Sequence, residues 1–319
     1  MSTSTSLARP PYDPELAPAL AASPLPQTVT PDMIGTLRGA SFGPTVDDRL
    51  AGRPIDREDR TFAGPEGQLT ATVLRPRGAS NARPGIFFLH GGGMIIGDRF
   101  TGIDELVDWS EEHGAVAVTL DYPLAPEHPD PGPVEGAYAG LLWAVEHSAE
   151  LGIDPDRLLL AGSSAGAGIA AGVALMARDR GGPAVVGQLL NSPMLDDRSH
   201  TVSSYQYSQT GSWSRESNDT GWDALLGDRR GTALVTPYTA PARATDLSRL
   251  PPAFVDVGSA EVFRDEAVDY ASRLWAAGVQ AELHVWAGGF HMFHGPAPAA
   301  ALSQASVAAR AHWVRRTFR

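Results

Sequence analysis

Two glycine-rich turns, each closing a short apolar run, constrain this chain more than any other feature of it. Gly85-Ile86-Phe87-Phe88-Leu89 reads as a buried strand and ends in His90-Gly91-Gly92-Gly93. Further on, Leu158-Leu159-Leu160 runs into Gly162-Ser163-Ser164-Ala165-Gly166. The first turn is stripped of side chains after its histidine, so its backbone N–H groups can approach a ligand oxygen closely. The second sets Ser164 at the centre of a G-x-S-x-G turn, whose flanking positions stay small because the serine backbone is strained. A G-x-S-x-G match arises by chance in about one such chain in four, and His-Gly-Gly-Gly in about one in a hundred. Together, in this order and at strand ends, they point to a nucleophilic serine facing a loop of oxyanion donors.

The rest of the chain predicts a fold able to carry that pair. Besides Ile86–Leu89, strands are expected at Val116–Leu120, Leu158–Ala161, Val185–Leu190, Ala253–Val257 and Glu282–Trp286. They are short and apolar, as strands covered on both faces are. Ahead of them, Leu69, Ala71 and Val73 alternate with Thr70 and Thr72, which predicts an outer antiparallel strand over Leu69–Arg75. The turn Gly64-Pro65-Glu66-Gly67 joins it to a strand at Asp59–Ala63. Val134, Ala137, Tyr138, Leu141, Leu142 and Val145 keep helical spacing, and Ala165–Arg178 and Ala299–Phe318 read as further helices. The fold class is therefore α/β: an eight-stranded, mostly parallel sheet flanked by helices.

The connection from Asn191 to Pro252 is too long for an ordinary loop and holds Trp213, Trp222, Leu225 and Leu226. Residues 195–238 are accordingly expected as a cap insertion in a catalytic domain spanning 56–319. Residues 1–55 hold too little apolar material for a core of their own and are expected as an N-terminal cap segment, with one amphipathic piece at Pro31–Leu37. The two should close over Ser164, using Leu16, Leu20, Met33, Leu37, Tyr205, Trp213 and Trp222.

Composition narrows the chemistry. There is no Cys, and every basic residue is Arg, so cysteine nucleophiles, thiolate metal sites and lysine Schiff bases are excluded. A net charge of -12 argues against nucleic acid and anionic membrane surfaces as partners. No apolar stretch is long enough for a membrane span. The N-terminus lacks the basic and apolar regions of a signal peptide, so a cytoplasmic location is expected. A small-molecule ester is the expected partner, no metal or other cofactor is called for, and a homodimer stays open.

Serine hydrolysis also needs a base and an acid to orient it, in the chain order Ser, then Asp or Glu, then His. Past the strand Ala253–Val257, Glu261 sits in the loop on the edge that carries Ser164. Its rivals are Asp256, inside the strand, and Asp265 and Glu266, which suit the start of a helix. After the last strand, Gly288-Gly289 release the chain at His291, with His294 as the alternative base. His90 is expected to shape the oxyanion turn by hydrogen bonding.

At this point the chain resembles the bacterial hormone-sensitive-lipase-like carboxylesterases, a branch of the α/β-hydrolases. The resemblance rests on His90-Gly91-Gly92-Gly93, on Asp121-Tyr122-Pro123-Leu124-Ala125-Pro126-Glu127-His128-Pro129, on the Ser164 turn and on the Glu261 and His291 segments, and spans roughly residues 60–319. It implies the α/β-hydrolase fold with a helical cap, and oxyanion donors at the N–H groups of Gly92, Gly93 and Ala165. It also implies action on short to medium acyl esters without a cofactor. The family's usual acid is Asp in an Asp-Pro-Leu-Arg-Asp-Glu segment, where this chain has Glu261-Val262-Phe263-Arg264-Asp265-Glu266. Its Tyr-Arg-Leu-Ala-Pro-Glu is here Tyr122-Pro123-Leu124-Ala125-Pro126-Glu127, and Met94 replaces a frequent aromatic residue after the glycines, suggesting a softer acyl-pocket wall. Against an esterase stand a ligand-binding receptor on the same scaffold, which would typically lack the histidine, and a lactonase or amidase using the same three residues. Dehalogenase and epoxide hydrolase chemistry need an acidic nucleophile, and Ser164 removes them.

Overall fold

The computed structural model describes residues 7–40, 44–78 and 82–319. Eight strands form one sheet: β1 (Ile55–Gly64), β2 (Gly67–Pro76), β3 (Arg83–Leu89), β4 (Val116–Asp121), β5 (Ile153–Ser163), β6 (Gly187–Asn191), β7 (Ala253–Gly258) and β8 (Ala281–Trp286). Their order is β1-β2-β4-β3-β5-β6-β7-β8. β2 runs antiparallel to both its neighbours, and the remaining pairings are parallel. Each expected strand is present. The largest extensions are in β1, whose ends alternate toward solvent, and β5, whose polar Asp154–Arg157 precede the apolar run.

Successive side chains of a strand point to opposite faces, so each central strand feeds two cores. Phe87 and Leu89 of β3 join Leu158 and Leu160 of β5 in one cluster, and Ile86, Phe88, Leu159 and Ala161 join the other. Helices Gly132–Glu146, Ala165–Arg180 and Arg264–Ala276 cover the first face through Ala137, Leu141, Val173, Tyr270 and Leu274. Helices Ile103–His113 and Ala301–Thr317 cover the second through Leu106, Trp109, Trp313 and Val314. The helix Ile103–His113 is not among the sequence expectations. Its buried Ile103, Leu106, Val107 and Ser110 keep helical spacing, but interleaved Asp104, Glu105, Asp108, Glu111 and Glu112 mask the pattern.

The connection from β6 to β7 contains helices Val202–Gln206 and Arg215–Leu226. The N-terminal segment is bonded to it. Tyr207 donates its hydroxyl to the Pro10 carbonyl, Val29 N–H donates to Ser217 Oγ, and Thr220 Oγ1 donates to the Val29 carbonyl, each at 2.8 Å. The amphipathic piece expected at Pro31–Leu37 is a 3-10 turn, Pro31–Met33, continuing into helix Ile34–Gly39. Tyr205 departs from its expected role: it is 47% exposed, with the Arg215 guanidinium 4.2 Å from its ring centroid, so it faces solvent. Tyr207, Trp213 and Trp222 are the buried aromatic residues of the insertion. Residues 1–6 and 41–43 of the expected N-terminal cap lie outside the described residues. Among the described residues, no helix is long and apolar enough to cross a membrane.

Candidate active site

Ser164 lies between the last residue of β5 and the first of helix Ala165–Arg180, so strand must turn into helix within one residue. It does so at φ 56° and ψ -120°, a conformation costing a non-glycine residue about 1–3 kcal/mol. Backbone bonds hold it there. Ser164 N–H donates to the Asn191 carbonyl at 2.8 Å, and the Ser164 carbonyl accepts from Ala167, Gly168 and Met194, each at 3.1 Å. The turn also depends on a close approach that only glycine permits: a Cβ on Gly166 would lie 2.1 Å from the Leu89 carbonyl oxygen.

The structure brings the three sequence-selected side chains into one line. Ser164 Oγ lies 2.9 Å from His291 Nε2, and His291 Nδ1 lies 2.6 Å from Glu261 Oε2. Glu261 Oε1 accepts from the Gly258 N–H at 3.2 Å. All three residues are buried, at 4%, 6% and 2% exposure, so their mutual attractions act away from bulk water. The Phe263 ring stands edge-on to the His291 ring at 5.1 Å and limits how it can tilt.

The His90–Gly93 loop lies against the serine. A Cβ placed on Gly91 would sit 3.2 Å from the Ser164 Cβ. His90 Nδ1 lies 2.7 Å from the Gly91 carbonyl, its ring stacks on Tyr122 at 4.2 Å, and Tyr122 donates its hydroxyl to the His90 carbonyl at 2.8 Å. Burial pushes the His90 imidazole below the usual histidine range, which keeps it neutral. Gly92 sits at φ 118°, where an added Cβ would meet the Ile96 carbonyl oxygen at 2.0 Å. Among the described residues no backbone carbonyl accepts from the N–H of Gly92, Gly93 or Ala165. Trp213 of the insertion closes on this loop, its ring atoms 2.4 Å from where a Gly93 Cβ would be.

The rival acids are engaged elsewhere. Asp256 Oδ2 accepts from Arg310 at 2.6 Å and from Trp286 Nε1 at 3.1 Å. Asp265 accepts from the Ser203 N–H at 2.7 Å and pairs with Arg264. Glu266 accepts from the Leu195 N–H at 2.7 Å, pinning the start of the insertion. The rival base, His294, lies 3.1 Å from Glu105.

Burial lifts the Glu266 carboxyl well above its usual range, with the Leu195 N–H opposing and the charges of Asp196 and Glu261 adding to the rise. A raised folded-state value means that Glu266 contributes stability fully below its unfolded pKa of about 4.3, and loses it as pH climbs through the folded value. Glu266→Gln keeps a carbonyl for Leu195 and cannot ionise. Its melting temperature minus that of the parent should therefore grow more positive as pH rises from the unfolded value of about 4.3 toward the raised folded one. A difference that stays flat across that window would show that Glu266 ionises normally.

Two contacts carry no local sequence signal. One is the Trp213 approach to Gly93. The other is the packing of Leu16 and Leu20, from the N-terminal segment, against Phe290 and Phe293 on either side of His291. A third feature was readable. Arg310 shares a helix face with Ser303, Ser306, Trp313 and Val314, and a lone charge on a buried face implies a partner.

Known proteins resemble this chain in sequence and in fold. Residues 86–295 match the family described as alpha/beta hydrolase fold. Carboxylesterase NlhH of Mycobacterium tuberculosis is 33% identical over 289 residues, 88% of this chain and 88% of that protein. Hormone-sensitive lipase of Bos taurus is 32% identical over 151 residues, 47% of this chain and 20% of that protein. The solved structure of a bacterial heroin esterase superposes with a TM-score of 0.89 at 35% identity, covering 97% of this chain and 98% of that one. The chain belongs to the α/β-hydrolase fold family and, within it, to the carboxylic ester hydrolases.

Proposed function

We propose that the protein hydrolyses carboxylic esters of short to medium acyl length through an acyl-enzyme on Ser164, with His291 as base, Glu261 orienting it, and the N–H groups of Gly92, Gly93 and Ala165 holding the oxyanion. The observation that carries this reading is the continuous chain of contacts Ser164 Oγ–His291 Nε2–Glu261 at 2.9 and 2.6 Å. Ser164 Oγ attacks the acyl carbon while His291 Nε2 takes its proton. The carbonyl electrons move to the oxygen, where each backbone donor contributes about 3 kcal/mol to the transition state. Collapse expels the alkoxide, which leaves as the alcohol with the proton from His291. Water then enters by the same steps in reverse and releases the acid. A panel of nitrophenyl esters of rising acyl length, run beside a lactone and an amide, tests the substrate class. Faster turnover of the lactone or amide than of every ester would replace this reading. The cytoplasmic setting expected from the sequence remains part of the proposal, open to fractionation, and the homodimer stays open to light scattering.

The cap is part of the same proposal. Residues 7–40 and the 195–238 insertion are bonded to each other and to the catalytic loops. Arg38 donates to the Ile95 and Ala125 carbonyls at 2.7 and 2.6 Å, and Asp13 N–H donates to the Gly288 carbonyl at 3.0 Å. Removing residues 1–30 would uncover Phe290 and Phe293, and each lost leucine forfeits roughly 1.5–3 kcal/mol of burial. The sheet begins later, so a cooperative unfolding transition should survive, with a lowered midpoint. Turnover should fall by about tenfold or more, or the acyl-length optimum should move, because the loop bearing His291 loses its cover. Unchanged kinetics across the acyl series would remove the N-terminal segment from the cap.

A further inference from the structure

Arg310, in helix Ala301–Thr317, is 1% exposed. Its Nε and Nη2 donate to the two carboxylate oxygens of Glu105 at 2.9 and 2.8 Å, and its Nη1 donates to Asp256 Oδ2 at 2.6 Å. Glu105 Oε1 also lies 3.1 Å from His294 Nε2. One buried guanidinium therefore joins the C-terminal helix, the helix Ile103–His113, β7 and the loop after β8. Burial alone would raise the Glu105 carboxyl, but Arg310 and His294 outweigh it and hold it well below the usual carboxylate range. Such a cluster is an expensive way to fill space, since desolvating charges costs much of what their attraction returns, and apolar residues of similar volume often serve stability as well. Its connections say more than its energy does.

Two of the joined segments carry groups of the catalytic line. β7 holds Asp256 and continues through Gly258 into the loop of Glu261. The loop after β8 carries His291 and, one turn later, His294. That loop has no ladder to fix it. It is a run of turns, with Phe293 N–H on the Phe290 carbonyl and Gly295 N–H on the Met292 carbonyl, each at 3.2 Å, and Met292 at φ 57°. Its entry is tied by Gly288 N–H to Ser259 Oγ at 2.8 Å and by Ala260 N–H to the Gly289 carbonyl at 3.0 Å. Ser212 Oγ donates to the His291 carbonyl, and one turn beyond it His294 ties the loop to Glu105.

We propose that the chain His294–Glu105–Arg310–Asp256 is a positioning device that holds the His291 loop against β7 and so keeps His291 in register with Glu261. His294 is its attachment to the loop. None of the four side chains touches substrate; they act through His291. The proposal rests on the reading of Ser164, His291 and Glu261 as the catalytic line.

The test compares His294→Ala with His294→Gln, whose amide can still donate to Glu105, each rated per competent site by endpoint titration with an organophosphate. His294→Ala should lower kcat about tenfold with KM within about twofold, in keeping with the steep cost of a misplaced base. His294→Gln should recover to within about threefold of the parent. Arg310→Met, which fills the space without the charge, should lower kcat per titrated site in the same way, and should it not fold, the His294 pair decides. Ser164→Ala runs in parallel. Turnover surviving in Ser164→Ala would sink the catalytic reading itself. An inactive Ser164→Ala beside a His294→Ala enzyme with parental kcat per site and parental pH profile would overturn the positioning device alone. Equal losses in His294→Ala and His294→Gln would also overturn it, because the bond to Glu105 would not be what matters.

Discussion

Ser164→Ala is expected to reduce kcat on a nitrophenyl ester by about a millionfold while the protein stays folded, and His291→Ala to do the same. The double variant should be scarcely worse than either, because nucleophile and base act as a unit: a serine without its base, or a base without its serine, is already idle. The residual rate should be that supported by binding and the oxyanion donors alone. Stability should change little. Alanine keeps the backbone bonds that hold the turn, to Asn191, Ala167, Gly168 and Met194, and the lost Oγ contact is worth about 1 kcal/mol. Organophosphate labelling followed by peptide mapping provides the second check. Ser163 directly precedes Ser164 at 8% exposure, and an adduct there instead of on Ser164 would overturn the assignment.

How much of this was legible in the sequence depends on where each signal lives. The central strands were legible because burial on both faces demands unbroken apolar runs, and β3 and β5 supply them in Ile86–Leu89 and Leu158–Ala161. Ser164 and the His90–Gly93 loop were legible because close backbone approach demands glycine, which is a local requirement. Glu261 and His291 followed from topology: parallel strands deliver their following loops to one edge of the sheet. The helices between β6 and β7 were harder to see. The buried sides of Val202–Gln206 and Arg215–Leu226 include Ser203, Ser204, Ser217 and Asn218, and polar residues on a buried face break the apolar period that marks a helix in a sequence. The Arg310 cluster joins residues as distant in sequence as Glu105 and Arg310. No periodicity reports such a pair, although the isolated arginine on a buried helix face was there to be noticed.

Glu261→Gln is expected to lower kcat by roughly a thousandfold to ten-thousandfold without removing any atom of the nucleophile or base. The carboxylate accepts at both oxygens, from His291 Nδ1 at 2.6 Å and from the Gly258 N–H at 3.2 Å. In the proposed mechanism it places the imidazole proton on Nδ1 and leaves Nε2 free to accept from Ser164. An amide in its place keeps one oxygen for Gly258 and turns its NH2 toward Nδ1. The imidazole then becomes an acceptor at Nδ1 and carries its proton on Nε2, the wrong tautomer for a base. Charge is lost as well, and at 2% exposure no water replaces it beside the imidazolium that forms during attack. The control is Asp265→Asn. Asp265 is occupied by Ser203 and Arg264, so its substitution should leave kcat within about threefold of the parent, as for a surface-side change remote from the chemistry. A Glu261→Gln enzyme near parental rates beside a disabled Asp265→Asn would move the acid to Asp265. Glu261→Asp separates the remaining possibilities, since a shorter carboxylate keeps the charge and the tautomer but cannot hold both partners at these distances. It should fall between Glu261→Gln and the parent, and a Glu261→Asp rate as low as that of Glu261→Gln would mean that reach, rather than charge, is what Glu261 supplies to His291.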